Sequence, residues 1–525
     1  MSEKIKFTVV LCFFFILTVF YSGVVNVSFA EESATLMGNG RLLFPKENYT
    51  VETKTVMTSE GNKEITYRYY KYIPYVAKPV DLNYQSMNVL VPIKVNDLEI
   101  DATNSPILLK LQVYGFMPYH INDDREYRIA EDLALAEGYV LVKPAVRGRT
   151  NVTVDDPWSR NPKDIYYGKA PACVVDMKAV IRYLRHNKDI MPGNVDWIIA
   201  YGGSAGGGVS AVLGASGNNI LYEPYLQEIG AANEDDDILA SACFSPMLDF
   251  ENGDLQYEWM FGTAQISSAQ APMAQQWSND EDPYHSKYTP EVTNKYVDQE
   301  LSAEIAVPFA DYLVSLNLQG KNEFGTLTTD NYDEYILKYY LIPSANKYLQ
   351  SLTDEQRNQY LAKRKWIKWD AASGAKFTWE DYVNYLGRKE HIPVFDSFDM
   401  MAPETSLFGN ESTPNRHFTN FSLQYTTGDD QAQIDKDIQK ILDLMNPIYF
   451  LLHNNSDTAK YWWIRHGTAE RGTSMTNVVN LVTLLENQEK EVNTWFYWDG
   501  GHMADLDTPD FIKWINKITG YDSIN

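Results

Sequence analysis

The sequence predicts an α/β fold: a mostly parallel central sheet with helices on both faces, interrupted by a large, mainly helical insertion. Three observations carry this expectation. Segments rich in β-branched and aromatic residues alternate with segments of helical spacing, a pattern that pairs strands in parallel through helical crossovers. The alternation lapses between residues 251 and 436 and then resumes to the C-terminus. In "WIIAYGGSAGGGVSA", residues 197–211, one serine stands among five glycines where a strand pattern turns into a helix pattern.

Taken in order, "ITYRYYKYIPYVA" from Ile65 and "SMNVLVPIKV" from Ser86 read as strands. "SPILLKLQVYGF" follows as a strand, "EYRIAEDLALAEG" as a helix and "YVLVKPAVRGR" as a strand. Next come a helix in "APACVVDMKAVIRYLRHN", a buried strand in "VDWIIAYGG", a helix after Ser204 and a strand in "ILASACFSPML". Residues 251–436 are rich in Tyr, Trp, Asn, Asp and Gln, with helical patches in "NYDEYILKYYLIPSANKYLQSL" and "TDEQRNQYLAKRKWIKW". Beyond them, "DIQKILDLM" reads as a helix, "KYWWIRHG" as a strand, "TNVVNLVTLLENQ" as a helix, "VNTWFYWDG" as a strand and "PDFIKWINKI" as a terminal helix. The expected organisation is a core in two parts, residues 31–250 and 437–525, around an inserted cap at 251–436. A cap belongs at the functional edge of such a sheet, where scaffold loops converge.

Residues 1–30 have the form of a secretory signal: Lys4 and Lys6, the apolar run from Phe7 to Phe20, and small residues ending in Ser28-Phe29-Ala30, with cleavage expected after Ala30. The mature chain is then secreted and carries no membrane span; an uncleaved segment would hold it at the cell surface. The net charge of −25, from 70 acidic and 45 basic residues, argues against nucleic acid and anionic lipid as partners. Cys173 and Cys243, all that remain beyond the signal, form no disulfide framework and read as two buried thiols, with a single bridge as the alternative. The acidic clusters Asp123-Asp124 and Glu234–Asp237 match no metal-ligand loop and read as a solvated face, so no metal is assigned.

Gly202-Gly203-Ser204-Ala205-Gly206 fits the G-x-S-x-G nucleophile elbow of the α/β-hydrolase fold, in the strand-to-helix context that the motif needs. No Lys-Ser or Lys-Thr follows these glycines, which sets a phosphate loop aside. A serine hydroxyl needs a general base and a group to orient that base. His502, in "WDGGHMADLD" after the last strand, is the expected base; His466, at the end of the preceding strand, is its rival and reads better as a packed histidine. For the acid, Glu470 follows a strand as the fold requires, Asp457 precedes it, and Asp499 needs a sharp turn. The N–H of Ala205 is one expected oxyanion donor, and the loop of Gly115 and Phe116 the source of the other.

With these residues placed, the chain resembles bacterial tannases, α/β-hydrolases that cleave galloyl esters. The similarity is densest in "YYGKAPACVVDMKAVIRYLRHN", "MPGNVDWIIAYGGSAGGGVSAVLGASGNN", "YEPYLQEIGAA", "PVFDSFDMMAPETSLFG" and "YWWIRHGTAERGTS". The resemblance implies Ser204 as nucleophile, His502 as base and Glu470 as acid, where the family usually has aspartate. It also implies an oxyanion loop at Gly115-Phe116-Met117-Pro118. In the family the acid lies in an Asp-Arg-Asp run whose second aspartate helps hold the galloyl hydroxyls, and a lysine and a glutamate from the cap complete that grip. Here the run reads Glu470-Arg471-Gly472, the glutamate falls on Glu404, and the lysine falls on Glu390 unless a one-residue shift brings in Lys389. The expectation is a cofactor-free secreted serine esterase acting on a small phenolic ester. A feruloyl- or acetyl-type esterase is the alternative, and a serine peptidase or a non-catalytic binding protein are more distant ones.

Overall fold

The computed structural model describes residues 42–123, 129–155, 163–264 and 298–522. The signal segment therefore lies outside the described residues, as do Cys12 and Asp124.

Among the described residues the main sheet has ten strands. Nine lie in line: β1 (Thr50–Thr58), β2 (Gly61–Pro74), β3 (Ser86–Val95), β4 (Ile107–Lys110), β5 (Val140–Pro144), β6 (Ile198–Gly203), β7 (Ala240–Phe244), β8 (Tyr461–Gly467) and β9 (Glu491–Tyr497). Their spatial order is β1-β2-β3-β5-β4-β6-β7-β8-β9, and Leu98–Glu99 adds a short strand beside β3. The first three pair antiparallel and form one edge, joined antiparallel to β5. From β5 to β9 every pairing is parallel. β4 and β7 are buried at every position, as strands covered on both faces must be.

Helices α1 (Ile129–Ala136) and α5 (Thr508–Thr519) cover one face, packing Ala134, Leu135, Phe511 and Ile515 against Leu141, Ile199 and Trp463. Helices α2 (Ala172–His186), α3 (Ala205–Ala215) and α4 (Thr476–Asn487) cover the other face, with Val180, Val209 and Val482 in its core. This is the α/β-hydrolase arrangement that the alternation predicts.

A helical insertion leaves the sheet after β7 and returns before β8. It includes helices Gly253–Phe261, Gln299–Ala306, Ile342–Ser351, Asp354–Ala362 and Trp379–Leu386. Its aromatic residues tie it to the core: Tyr257, Tyr332, Tyr335 and Tyr382 are fully buried with their hydroxyls on Arg471, Asn480, Thr483 and Thr468, and Trp259 packs against Phe309, Tyr332 and Trp379.

Two expectations change here. The cluster Glu234–Asp237 is solvated only in part: Asp235 is exposed, but Asp236 is buried, accepting from Lys178 Nζ at 2.7 Å and Arg182 Nε at 2.9 Å, a paired charge such as a protein interior tolerates. The stretch before Ile65, to which the sequence pattern assigns no element, contributes all of β1; its exposed Thr residues lack the apolar alternation that marks a strand. Cys173 and Cys243 are both buried free thiols.

Candidate active site

The C-terminal ends of β6 and β7 are level and those of β8 and β9 run two residues further, since Gly203 pairs with Phe244, Phe244 with Arg465 and Gly467 with Tyr497. The residues that follow these strands therefore meet at one edge. Ser204 stands there with φ 56° and ψ −127°, a backbone that an L-residue adopts only when its surroundings impose it. Those surroundings are backbone in close contact. A Cβ on Gly206 would lie 2.5 Å from Leu111 O, and one on Gly208 would lie 1.9 Å from Met247 O, so α3 packs this closely only with glycine.

His502 enters on the loop after β9, which is stitched to its neighbours. Ala469 donates its N–H to Gly500 O at 2.8 Å, Asp499 donates to Thr468 Oγ1 at 2.9 Å, and Met503 donates to Ser245 Oγ at 3.1 Å. Residues from the insertion hold the same loop: Arg364 Nη2 lies 2.9 Å from Asp499 Oδ2, and Tyr360 donates its hydroxyl to it at 2.7 Å. The structure thus brings His502 Nε2 within 2.8 Å of Ser204 Oγ, while Nδ1 bonds Glu470 Oε2 on its other side. Glu470 Oε1 accepts the backbone N–H groups of Arg471 at 2.9 Å and Gly472 at 2.7 Å, which fixes the carboxylate.

The other acids are elsewhere. Asp499 is taken by Arg364 and Tyr360, and Asp457 bonds Asn218 Nδ2 at 2.8 Å on the surface, near the opposite end of β8. His466 is fully buried against the Phe496 ring, at 5.1 Å between centroids, and burial pushes its pKa down to about 4.

The electrostatics suit a base and its orienting acid. Burial opposes charge on Glu470, but the His502 imidazole and its hydrogen bond prevail and hold the carboxyl well below the usual range. Protein on most sides pulls His502 down, the Glu470 carboxylate pulls it up by more, and the net shift is upward; Lys389 opposes it from nearby. The ring keeps an open face, with 37% of its side-chain surface accessible.

Ala205 begins α3 directly after Ser204. The turn Tyr114–Phe116 packs on α3, with φ of 54° at Gly115 and 56° at Phe116. The three positions implied in acyl binding come together beside this centre. A Cβ on Gly472 would lie 3.2 Å from Glu470 Oε1 and 3.9 Å from Glu390 Oε1, and Glu390 Oε1 pairs with Lys389 Nζ at 3.0 Å. Glu404 is buried and feels the charges of Glu390, Asp254 and Arg149; burial is the main cause that raises its pKa to about 7. Arg388, fully buried, pairs through Nη1 with Glu258 at 2.5 Å and donates Nε to Glu390 O at 2.6 Å, which anchors the segment bearing Lys389 and Glu390.

Sequence reasoning did not single out Arg149, Lys169 or Arg388. A pair of arginines in the turn after a buried strand, as in "KPAVRGR", was the available signal for the first. Among the described residues no group of three or more His, Cys, Asp or Glu side chains could hold a metal ion.

Comparison with solved structures now decides the family. A tannase from Fusobacterium nucleatum superposes with a TM-score of 0.75 at 31% identity, covering 91% of this chain and 99% of its own. This chain belongs to the tannase family. The native tannin acyl hydrolase of Lactobacillus plantarum matches at 30% identity with the same coverage and TM-score. A tannin acyl hydrolase in complex with ethyl gallate matches at 29% identity, covering 91% and 99% of the two chains, with a TM-score of 0.74. The family model described as BD-FAE matches residues 164–300. No curated protein matches the chain. As a tannase-family chain it is a carboxylic ester hydrolase, and no helix among its described residues is long and apolar enough to cross a membrane.

Proposed function

We propose that this tannase-family chain is a secreted serine esterase that cleaves phenolic esters through an acyl-enzyme on Ser204. The observation that carries the reading is the unbroken line from Ser204 Oγ through both His502 nitrogens to the Glu470 carboxylate. His502 Nε2 takes the serine proton as Oγ attacks the ester carbonyl, and Glu470 stabilises the imidazolium that forms. The N–H groups of Ala205 and of the Gly115-Phe116 turn receive the oxyanion. On collapse His502 returns the proton to the departing alcohol, and water then repeats the sequence to release the acid. No cofactor takes part.

Glu404, the Lys389–Glu390 pair and the backbone at Gly472 line the acyl pocket in this reading. That a related tannin acyl hydrolase forms a complex with ethyl gallate supports a galloyl ester as the substrate. The Glu390 carboxylate, 3.9 Å from the position of a Gly472 Cβ, fills the space that an acidic side chain at 472 would use. Phenol hydroxyls thus retain an acceptor, delivered from the insertion rather than from the loop after β8. A feruloyl, benzoyl or acetyl ester is the second reading, favoured by the same change of donor set. Hydrolysis of methyl gallate against a panel of phenolic and short aliphatic esters, with Ser204→Ala as control, tests both. Methyl gallate should have the highest kcat/KM and the control none; a better ester moves the substrate, and an active control removes the mechanism. The secreted protein should begin at Glu31, read by mass spectrometry of its N-terminus.

A further inference from the structure

One side chain grips the Gly115-Phe116 turn from outside. Arg149 donates Nε to Gly115 O at 2.9 Å, and its backbone N–H donates to Phe116 O at 2.8 Å. Both turn residues have positive φ, a conformation that a side chain as large as phenylalanine holds only when its neighbours over-determine it. Here the neighbours are α3 on one side, the Phe250 ring packed edge-on against Phe116 at 5.5 Å, and Arg149.

A trans peptide unit is planar, so its C=O and N–H point in opposite directions within one plane. The Gly115 carbonyl and the Phe116 N–H belong to the same unit. Fixing the carbonyl on Arg149 therefore fixes the N–H on the opposite side. Arg149 is itself held. Its carbonyl accepts from Lys169 Nζ at 2.7 Å, and the same ammonium donates to Ser406 O at 2.8 Å and Pro414 O at 2.7 Å. Ser406 lies in the short helix Pro403–Leu407 that also carries Glu404, so the insertion reaches the turn through Lys169 and Arg149.

We propose that Arg149 is a positioning residue for the oxyanion site: its guanidinium locks the Gly115–Phe116 peptide with the Phe116 N–H turned toward the carbonyl attacked by Ser204. The proposal rests on the Ser204 acyl-enzyme reading. Loosening a donor costs less than deleting one, which typically lowers kcat by about 10²–10³-fold.

The test compares the parent, Ser204→Ala, Arg149→Met and Arg149→Lys on two esters, methyl gallate and p-nitrophenyl acetate. The second ester has no ring hydroxyls for the acyl pocket and so reports the oxyanion site alone. Arg149→Met should lower kcat on both by about 10–100-fold, with KM for p-nitrophenyl acetate within twofold of the parent. Arg149→Lys should recover part of the loss on both. Unchanged kcat for p-nitrophenyl acetate in Arg149→Met overturns the proposal, and so does a loss confined to KM for methyl gallate, which moves Arg149 to the acyl pocket through Glu404. If Arg149→Met does not fold, Arg149→Lys decides alone: a kcat equal to the parent on both esters overturns the proposal, and a fall on both supports it. A parent without Ser204-dependent turnover on either ester overturns the esterase reading itself, an outcome visible before any Arg149 variant is compared.

Discussion

Replacing Glu470 with glutamine exchanges one oxygen for an NH₂ group and should remove nearly all turnover. Glu470 Oε1 accepts N–H bonds from Arg471 at 2.9 Å and Gly472 at 2.7 Å, so the glutamine must keep an oxygen there and turn its NH₂ toward His502. That NH₂ donates, so Nδ1 must accept and the ring proton moves to Nε2, which lies 2.8 Å from Ser204 Oγ. The imidazole then presents a proton where it must receive one. The same tautomer error in a Ser-His-Asp protease costs about 10⁴ in kcat, and we expect about 10³–10⁴ here, or about 4–5.5 kcal/mol of barrier. The pH profile gives an independent readout. Activity requires the neutral ring, so it is lost as pH falls through the His502 pKa. In the parent that pKa stands above the ordinary 6.5, because the carboxylate's pull exceeds the opposing effect of burial. Without the carboxylate burial acts unopposed, and the acid limb of the residual activity should move below 6.5. Steady-state kcat/KM for methyl gallate from pH 4.5 to 9 measures both effects. A variant with an unmoved acid limb, or one within tenfold of the parent, would show that Glu470 does not orient the base.

Glu404 should trade stability for function. Its folded pKa of about 7 against an ordinary 4.5 means that the folded state holds the proton more tightly. Its contribution to stability is thus intact below about pH 4.5 and lost as pH rises through about 7, by about 3 kcal/mol at most. Urea denaturation at pH 5 and 8 should show the parent losing more stability than Glu404→Gln, and equal losses would remove the argument. Gly472→Asp, which restores the acidic pattern of the family, should lower kcat/KM for methyl gallate by about tenfold or more, since its carboxylate joins two others within a few ångströms. Adding Glu390→Gln should recover part of that loss. Arg388→Met leaves Glu258 buried without its guanidinium partner and should cost about 3–5 kcal/mol in chemical denaturation. KM for phenolic esters should rise with it, as the Lys389–Glu390 segment loses its anchor.

The parallel core was legible because buried strands such as "VDWIIAYGG" and helices such as "TNVVNLVTLLENQ" carry their periodicity locally. That Ser204, His502 and Glu470 should lie near one another was legible for a different reason: Ser204 follows its strand at once, Glu470 and His502 follow theirs within a few residues, and neighbouring strand ends converge whatever lies between them in sequence. The insertion gave less away. The patch from Asn331 to Leu352 divides into an α-turn, a π-helical stretch at Leu337–Leu341 and a second α-helix, and spacing alone does not show a change of helical pitch. Strand β1 was hidden by its exposed polar residues. The partners of Arg149, Lys169 and Arg388 were out of reach because each lies dozens to hundreds of residues away and no local pattern encodes such a pairing.

Arg364 and Tyr360, both from the insertion, bind the carboxylate of Asp499 three residues before His502. The inserted helices are therefore no interchangeable attachment that could be exchanged to retune specificity. A chimera carrying another insertion would leave Asp499 as a buried anion with no counter-ion, in the loop that must deliver the imidazole. On the proposed reading the acyl pocket and the base share one mechanical support. Substrate range and catalytic competence are heritable here only as a unit, and an insertion transplanted in either direction must bring its arginine or give up the aspartate.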